Sequence, residues 1–167
     1  SYAVAIEELS AACASTGVTA SVNNSLVGDP LVKFGSDTQK ERWLKPLARG
    51  EITGCFALSE PGAGSDAANQ QTTCTPDGDH WLLNGTKNFI TNGPIADVCI
   101  AFTMSDKSLG YKGITAFVLA MDTPGVSCGP KERKLGIKAS PCCSVMFDNC
   151  RVSADAMLGE VGQGFKV

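Results

Sequence analysis

The spacing of apolar positions changes once along the chain, close to Gly50. Before that residue, apolar side chains recur every three or four positions, as at Ile6, Leu9 and Cys13. This spacing places them on one face of an α-helix. Residues 1–50 are therefore predicted to be helical.

The second predicted helix has recognisable ends. Ser36 is followed three residues later by Gln39, an arrangement typical of a capping box at a helix start. Gly50 is suited to end the helix, and Pro46 is expected to distort it just before that end. The expected buried face of this helix consists of Trp43, Leu44 and Leu47.

Polar and turn-forming residues separate the two predicted helices. Asn23-Asn24-Ser25 and Gly28-Asp29-Pro30 both have the composition of turns. We therefore expect the helical region to be interrupted here, with room for only a short helix between the two turns.

After Gly50, apolar residues come in short runs rich in β-branched and aromatic side chains, which favour strands. Pro76-Asp77-Gly78-Asp79 separates two of these runs and predicts a hairpin. No helical pattern lies between the runs, so we expect a sandwich or barrel of about six or seven strands. The predicted strands are Ile52–Leu58, Gln71–Thr75, His80–Leu83, Val98–Thr103, Ile114–Ala120 and Cys143–Phe147.

Together these patterns predict an α+β fragment in which a short helical segment precedes an antiparallel β-barrel domain. The helical segment covers residues 1–50, and the barrel covers residues 51–155. Residues 156–167 are expected to begin a connection to a further domain. The chain starts without Met and without the basic region of a signal peptide, and it ends on an apolar pattern. We therefore interpret it as a piece of a longer protein.

Composition narrows the class of protein. The chain has 167 residues, of which 43% are hydrophobic and 19% are charged, and this suits one soluble domain or one domain plus part of another. The net charge of −3 argues against nucleic-acid binding. No apolar stretch approaches the ~18 residues that a membrane span needs.

Eight cysteines raise the question of disulfides or a metal site. They form no C-x-x-C pair, and His80 is the only histidine, so no metal site is predicted. Cys55 and Cys99 lie inside apolar strand patterns, where reduced cysteine packs as a small apolar residue. We therefore expect free thiols in a reducing compartment. Cys142 and Cys143 are expected to point to opposite faces of one strand.

Two segments rich in Gly, Ser, Thr and Asn carry the candidate chemistry. The first segment is Cys55–Asp66 (CFALSEPGAGSD), and the second segment is Asn84–Gly93 (NGTKNFITNG). Glycine-rich loops present backbone N–H groups and hydroxyls at close range, so the segments suggest a β-scaffold that holds a flat ligand with polar edges. Neither segment has the spacing of a dinucleotide-binding or phosphate-binding loop. Taken alone, each segment is equally compatible with a glycine turn in a β-domain.

Together the two segments resemble one family, the acyl-CoA dehydrogenases. The first segment looks like the signature of that family, and Leu83–Asn92 resembles its second flavin-contacting segment. The N-terminal stretch Cys13–Leu26 is most similar to the short-chain (butyryl-CoA) branch. Shorter motifs that follow in family order are GYKGI from Gly110, DTPG from Asp122, KLGI from Lys134 and LGE from Leu158.

The resemblance implies a flavoprotein of three domains (helical, β and helical) that uses FAD. Such an enzyme oxidises a short-chain acyl-CoA to the trans-2-enoyl-CoA in fatty acid β-oxidation. A carboxylate removes the α-proton while the β-hydride passes to flavin N5. The expected partners are the acyl-CoA substrate, an electron-transferring flavoprotein and identical subunits in a homotetramer. The expected location is the mitochondrial matrix in a eukaryote or the cytoplasm in a bacterium.

The resemblance also assigns roles to individual residues. Leu58 and Ser59 would donate hydrogen bonds to the polar edge of the flavin. Phe89–Thr91 would pack on the ring, with the Thr91 hydroxyl near N5, and Ser65 would contact the coenzyme A moiety. The full set of expected cofactor-binding residues is Phe56, Ala57, Leu58, Ser59, Glu60, Pro61, Gly62, Ala63, Gly64, Ser65, Phe89, Ile90 and Thr91.

No catalytic residue is predicted within the chain. The resemblance places the catalytic carboxylate in a C-terminal helical domain that lies outside this sequence. Glu60 is a tempting substitute, but it lies inside the flavin-binding segment and we do not assign it as the base. Glu51 and Glu160 are interpreted as solvated charges. Phe89 stands where several relatives carry Trp, which preserves a flat apolar ring, whereas Lys138 stands where Arg is expected, which weakens any bidentate contact there.

Two other classes of function remain open from the sequence. One is a non-catalytic module of the same ancestry that binds flavin or acyl-CoA. The other is a barrel-shaped interaction module whose glycine segments are only turns. Yellow colour with flavin absorption would exclude the interaction module, and turnover of butyryl-CoA would distinguish an enzyme from a binding module.

Overall fold

A computed structural model describes residues 1–167, and the region before Gly50 is helical as predicted. Two of its segments are wide π-type turns, Val22–Gly28 and Lys40–Leu44, which continue the helices on either side of them. The α-helices are α1 (Tyr2–Ala12), α2 (Ala14–Ser21), α3 (Asp29–Phe34), α4 (Asp37–Gln39) and α5 (Lys45–Ala48).

The predicted interruption between the first helices is wrong. The π-type turns of Val22–Gly28 connect α2 to α3, so the backbone stays helical throughout. The Asn23 side chain does not form a local turn. Its oxygen accepts a hydrogen bond of 2.7 Å from the N–H of Gly54. Val27 and Leu31 are fully buried against the sheet. Tertiary packing therefore outweighs the local preference of Asn and Gly for turns.

A proline follows each π-type segment. Pro30 lies two residues after the end of Val22–Gly28, and Pro46 lies two residues after the end of Lys40–Leu44. Proline has no N–H, and its ring clashes with the carbonyl four residues earlier. A wide turn accommodates both effects without ending the helix. The predicted distortion at Pro46 is thus confirmed.

Both predicted ends of the second helical region are also confirmed. The N–H of Gln39 donates to the Ser36 hydroxyl at 3.2 Å, and the N–H of Ser36 donates to the Gln39 side chain at 3.1 Å. At the other end, Gly50 has a φ of +71°. The N–H of Glu51 donates to the carbonyl of Pro46 at 3.0 Å, which closes the last turn.

Eight strands form one sheet in the order β6-β7-β3-β2-β4-β5-β8, with β1 beside β4. All six predicted strand segments contain a strand, whereas the short strands β6 and β8 were not expected. Most neighbouring strands are antiparallel, whereas β1 and β2 run parallel to β4. The expected antiparallel pairing therefore holds for most of the sheet but not for all of it. The strands are β1 (Gly54–Ala57), β2 (Thr73–Asp77), β3 (His80–Thr91), β4 (Val98–Met104), β5 (Ile114–Ala120), β6 (Val126–Cys128), β7 (Cys142–Ser153) and β8 (Met157–Leu158).

The sheet curls over to enclose a core, as a barrel does. Phe117 and Leu119 of β5 share this core with Cys150 and Val152 of β7, although three strands separate β5 from β7 in the sheet. The rings of Trp81 and Phe117 lie 5.8 Å apart across it. The enclosed core and the sheet order therefore agree with the predicted barrel architecture.

The central strands β4 and β5 are buried on both faces. Cys99 and Ala101 of β4 lie in the enclosed core, whereas Ile100 and Phe102 pack with Leu31 of α3. Both faces of these strands meet apolar surroundings, which explains why their sequences are continuous apolar runs rather than alternating ones. The helical region thus covers one outer face of the sheet.

All eight cysteines are free thiols, and only Cys13 and Cys128 are exposed. Cys142 and Cys143 are neighbours on β7, so their side chains point to opposite faces, and Cys143 lies in the enclosed core. No group of three or more His, Cys, Asp and Glu side chains is arranged to hold a metal ion. None of the helices combines the length and the apolar character that crossing a membrane requires.

Candidate functional site

The first and second segments meet where β1 ends and β3 bulges. β3 pairs with β7, but the register shifts between Lys87 and Ile90. The bulge releases the N–H of Asn88 from the ladder, and it donates to the carbonyl of Ser59 at 2.8 Å. The Lys87 ammonium donates to the carbonyl of Leu58 at 3.0 Å. These two hydrogen bonds and the contact of Lys87 with Glu60 described below hold the two segments together.

The bulge turns Phe89 outward. Phe89 has a φ of +60°, which is unusual for a bulky residue, and 68% of its surface is exposed. Exposed rings in strained backbone conformations are typical of sites where a ligand completes the packing. The sequence suggested that the second segment is a glycine-rich loop, but the segment belongs to β3 as far as Thr91. The bulge, rather than a loop, presents the ring.

Ile90 does not share this orientation. Only 2% of its surface is exposed, and its side chain lies in the enclosed core opposite Cys143. The Ile90 side chain therefore packs in the core, so the expected contact of Ile90 with a ligand ring stays a prediction that only its backbone can fulfil. Thr91, the next residue, is half-buried, and its hydroxyl makes no hydrogen bond within the chain.

Two early residues of the first segment also point into the core. Phe56 packs against Phe102 with ring centroids 4.7 Å apart, and Ala57 is fully buried inside the barrel. Both belong to β1, where successive side chains alternate between two faces that are both covered. Ala57 therefore offers a ligand only its backbone, whereas Phe56 is partly buried, and the expected contacts of both residues with a flavin stay predictions.

A tight turn shapes the rest of the first segment. The N–H of Glu60 donates to the carbonyl of Ala63 at 3.0 Å, and the N–H of Ala63 donates back at 3.2 Å. Pro61 and Gly62 form the exposed corner of this turn. A Cβ atom added at Gly62 or Gly64 would meet no atom of the chain within 4 Å. The two glycines thus leave open space that another molecule can approach closely.

Several hydrogen-bond donors near this turn have no partner in the chain. They include the backbone N–H groups of Leu58 and Ser59 and the hydroxyls of Ser59 and Ser65. Ser65 is exposed, whereas Leu58 and Ser59 are half-buried. Unpaired donors beside an exposed aromatic ring match a flat ligand that carries acceptor atoms along one edge.

Behind these donors, Lys87 and Glu60 form a buried ion pair. Their N–O distance is 2.8 Å, and their side chains are 0% and 3% exposed. Lys87 also donates to Gln70 at 2.8 Å, and Glu60 accepts from the backbone N–H groups of Gln71 and Thr72 at 2.6 and 2.9 Å. Burial acts to raise the pKa of Glu60, but its hydrogen bonds outweigh burial and lower the pKa below its usual value. Burial lowers the pKa of Lys87.

These contacts exclude Glu60 as a free base, because its carboxylate already accepts hydrogen bonds from Lys87 and from two backbone N–H groups. They also show what the sequence reasoning overlooked, because Lys87 and Gln70 were not among the expected site residues. A signal was present in the strand pattern. Alternation from the buried Leu83 places Gly85 and Lys87 on the core face, and a lysine on a core face needs a buried partner.

The remaining acidic residues are at the surface, as expected. Glu51 pairs with Arg49 at 2.6 Å, and both side chains are more than half exposed. Glu160 accepts a hydrogen bond from Gln163 on an exposed surface. Lys138 is exposed and has no hydrogen-bond partner in the chain. None of these residues takes part in the junction of the two segments.

Comparison with known proteins agrees with the geometry of this junction. The family model for the acyl-CoA dehydrogenase middle domain matches residues 55–150, and the model for the acyl-CoA dehydrogenase N-terminal domain matches residues 1–51. This chain belongs to the acyl-CoA dehydrogenase family. Within the family, its two segments and their junction fall inside the middle-domain match.

Individual relatives support the same placement in the acyl-CoA dehydrogenase family. Human mitochondrial short-chain specific acyl-CoA dehydrogenase is 52% identical over 166 residues, which cover 99% of this chain and 40% of that protein. The structure of butyryl-CoA dehydrogenase from Megasphaera elsdenii is 48% identical with a TM-score of 0.95, covering 97% of this chain and 43% of that one. A glutaryl-CoA dehydrogenase from Mycobacterium smegmatis, solved in complex with FADH2, is 38% identical with a TM-score of 0.89, covering 96% and 41%. The chain thus spans about two fifths of the length of these relatives.

Proposed function

We propose that this chain forms the flavin- and acyl-CoA-binding surface of an FAD-dependent acyl-CoA dehydrogenase that acts on short-chain substrates. One observation carries the proposal: the exposed ring of Phe89 lies on the strand that is bonded to the segment bearing the unpaired N–H groups of Leu58 and Ser59. A flavin ring has a flat apolar face and a polar edge, so these groups fit it. The similarity to short-chain and butyryl-CoA enzymes supports the substrate class.

Each group at the junction has a role in this proposal. The N–H groups of Leu58 and Ser59 donate to the ring edge around N1 and the C2 oxygen, where fixed dipoles stabilise added negative charge. Phe89 covers one face of the ring and excludes water from it. The Thr91 hydroxyl lies near N5, and Ser65 binds the coenzyme A moiety at the exposed end of the turn. Bound FAD would supply the acceptor for the hydride, which carries both electrons of the oxidation.

The proposed reaction is the oxidation of a short-chain acyl-CoA to the trans-2-enoyl-CoA, as in fatty acid β-oxidation. Removal of the α-proton needs a carboxylate within hydrogen-bond reach of it. Since Glu60 is occupied by Lys87, we assign the base to a residue outside this chain. We further propose an electron-transferring flavoprotein as the electron acceptor, a homotetramer as the assembly, and the mitochondrial matrix or the bacterial cytoplasm as the location.

Anaerobic reduction tests this function. The full-length protein that contains this chain is loaded with FAD and mixed with butyryl-CoA without oxygen. The visible flavin absorption is expected to bleach, and longer acyl chains are expected to bleach it more slowly. A protein that binds FAD but is reduced by no acyl-CoA would contradict the dehydrogenase proposal. A protein that binds no FAD would contradict the assignment of the site itself.

A second candidate is a non-catalytic module of the same family that binds flavin or acyl-CoA. For the chain taken alone, this non-catalytic module is favoured because the Glu60 carboxylate is already paired. The only other carboxylate of the first segment belongs to Asp66, at the exposed end of that segment. FAD and acyl-CoA binding without bleaching, in the full-length protein, is the outcome that distinguishes this module from an enzyme.

A further inference from the structure

A buried lysine holds the peptide that faces the proposed flavin site. We propose that Lys87 is a positioning residue for the polar edge of the flavin, an inference that rests on the function proposed above. Its ammonium donates to Glu60 and Gln70 at 2.8 Å each and to the carbonyl of Leu58 at 3.0 Å. Three acceptors use all three donors of the ammonium, so its position is fully determined.

The bond to Leu58 sets the direction of the next N–H. All peptide bonds in the chain are trans, and in a trans peptide the carbonyl and the following N–H point in opposite directions. The Leu58 carbonyl points at the buried Lys87, so the N–H of Ser59 points away from it and is left without a partner in the chain. The N–H of Asn88 holds the next carbonyl, that of Ser59, at 2.8 Å. The Ser59 N–H is thus held in place by hydrogen bonds to the carbonyl groups on either side of it, those of Leu58 and Ser59.

The charge of Lys87 strengthens this arrangement. Hydrogen bonds from a charged donor are stronger than those between neutral groups. A strong bond to the Leu58 carbonyl polarises the Leu58–Ser59 peptide and makes its N–H a better donor. Glu60 balances the positive charge, so the net field behind the site is small. Lys87 therefore acts through orientation and polarisation of one peptide rather than through net charge.

A purely structural role for the ion pair makes a different prediction. Replacing both members of a buried ion pair by neutral residues is often neutral or stabilising, because the pair is costly to desolvate. If the pair only supported the fold, removing both charges would leave the ligand site unchanged. If Lys87 positions the peptide, ligand affinity falls even where the fold is retained.

The test uses the double variant Lys87→Met with Glu60→Gln, which avoids leaving one buried charge unpaired. Full-length apoprotein is titrated with FAD and binding is followed by flavin fluorescence. We expect the FAD dissociation constant to rise about tenfold, as for the loss of one buried hydrogen bond. We also expect the visible absorption bands of the bound flavin to shift, because the contact at the ring edge is altered.

Thr103→Val is the matched control. Thr103 is fully buried in the same sheet and donates to the carbonyl of Thr115 at 3.1 Å, but it lies outside both segments. This variant is expected to lower the thermal midpoint while leaving FAD affinity unchanged.

The outcomes separate the inference from the proposed function. If wild type binds FAD and the double variant binds it equally well with unshifted bands, the positioning role is overturned and the proposed function stands. If wild type binds no FAD, the proposed function itself fails. Should the double variant not fold, Gln70→Leu removes one support of the ammonium and keeps the ion pair. A smaller rise in the dissociation constant is expected there, and unchanged affinity overturns the inference.

Discussion

At the residue scale, the site depends on two side chains whose surroundings oppose their usual preferences. Phe89 exposes its ring and has a positive φ, and Lys87 is charged yet fully buried. A strained backbone conformation costs on the order of 1–3 kcal/mol, and a buried charge is costly as well. Such costs persist only where other contacts enforce them, and such positions concentrate at functional sites.

Relieving the strain at Phe89 should separate stability from binding. Glycine adopts a positive φ readily, so Phe89→Gly is expected to raise the free energy of unfolding by up to about 1 kcal/mol. The same change removes the ring that we propose to cover the flavin, and it is expected to weaken FAD binding. Urea unfolding and FAD titration measure the two effects. Phe89→Trp keeps a flat ring and should retain affinity, whereas a glycine variant that binds FAD as tightly as wild type would exclude the packing role.

The buried carboxylate should make stability depend on pH. The pKa of Glu60 is lowered in the folded state, so its contribution to stability is fully present above the unfolded pKa of about 4.3 and is lost as the pH falls through the folded value. Glu60→Gln removes this titration. Wild type should therefore lose stability more steeply in acid than the variant, as measured by urea unfolding at several pH values.

Glu51→Gln is the comparison for that measurement. The pKa of Glu51 is also lowered by its hydrogen bond to Arg49, but that pair is exposed and screened by solvent. Its removal should change the acid limb much less than Glu60→Gln does. Parallel acid limbs for wild type and Glu60→Gln would show that the buried pair is not ionised as described.

At the element scale, local patterns predicted the strands better than the helices. β4 and β5 were predictable because each is a continuous apolar run of the length of a strand. The helical path through Val22–Gly28 was not, because it depends on contacts with a distant strand. The Asn23 side chain bonds to Gly54, and a Cβ at Gly54 would come within 2.7 Å of Val27. Nothing within the helical sequence itself signals these contacts.

The capping box at the start of α4 has a geometry that follows directly from the local sequence. Its contribution to stability can therefore be tested by a single substitution. Ser36→Ala removes the hydroxyl that accepts from the N–H of Gln39, and it is expected to lower the free energy of unfolding by about 1 kcal/mol. Urea unfolding gives the change. Ser1→Ala is the control, since Ser1 precedes α1 but makes no side-chain capping bond. Equal effects of the two substitutions would contradict the capping role of Ser36.

At the scale of the whole molecule, composition was enough to locate the two site segments. That they lie in contact with each other is visible only in the folded structure. The Gly- and Ser-rich runs marked both segments in the sequence. Their junction depends on a bulge at Asn88 and Phe89 and on a lysine bonded to residues 17 to 29 positions away. No local sequence rule predicts the bulge, and the strand alternation that places Lys87 on the core face does not identify its partners. For the same reason the sequence did not reveal that the side chains of Ala57 and Ile90 lie in the enclosed core, since their orientation depends on which surfaces the sheet buries.

The distribution of thiols also belongs to this scale. Cys13 and Cys128 are exposed, while the other six cysteines are buried. Burial raises the pKa of Cys74 and of Cys150 to about 11 and that of Cys143 to about 12, which disfavours their reactive thiolates. Brief maleimide labelling at neutral pH should therefore modify two cysteines in the native chain, counted by mass spectrometry. Labelling in denaturant without reductant should modify all eight, and a lower count there would indicate a disulfide.

The largest-scale prediction concerns what the chain does by itself. In the proposed function the junction contacts only one face and one edge of a flavin, and Phe89 is 68% exposed, so we expect FAD affinity of the isolated 167-residue chain to be weak. Without a positioned carboxylate, general-base catalysis loses typically ~10²–10⁴-fold. We therefore expect butyryl-CoA to produce no measurable flavin bleaching with this chain alone, under anaerobic conditions that bleach the full-length protein.

Asp66 sharpens the interpretation of that experiment. It is the one acidic side chain of the first segment that makes no hydrogen bond through its carboxylate, and it lies at the exposed end of the turn beside Ser65. If the isolated chain does bleach flavin, Asp66→Asn should abolish the bleaching if Asp66 is the base and should leave it unchanged if another group is. Rapid bleaching by the chain would mean that a base lies within it, against the assignment proposed here. If the isolated chain is shown to hold FAD and still does not bleach, while the full-length protein does, the base lies outside these residues.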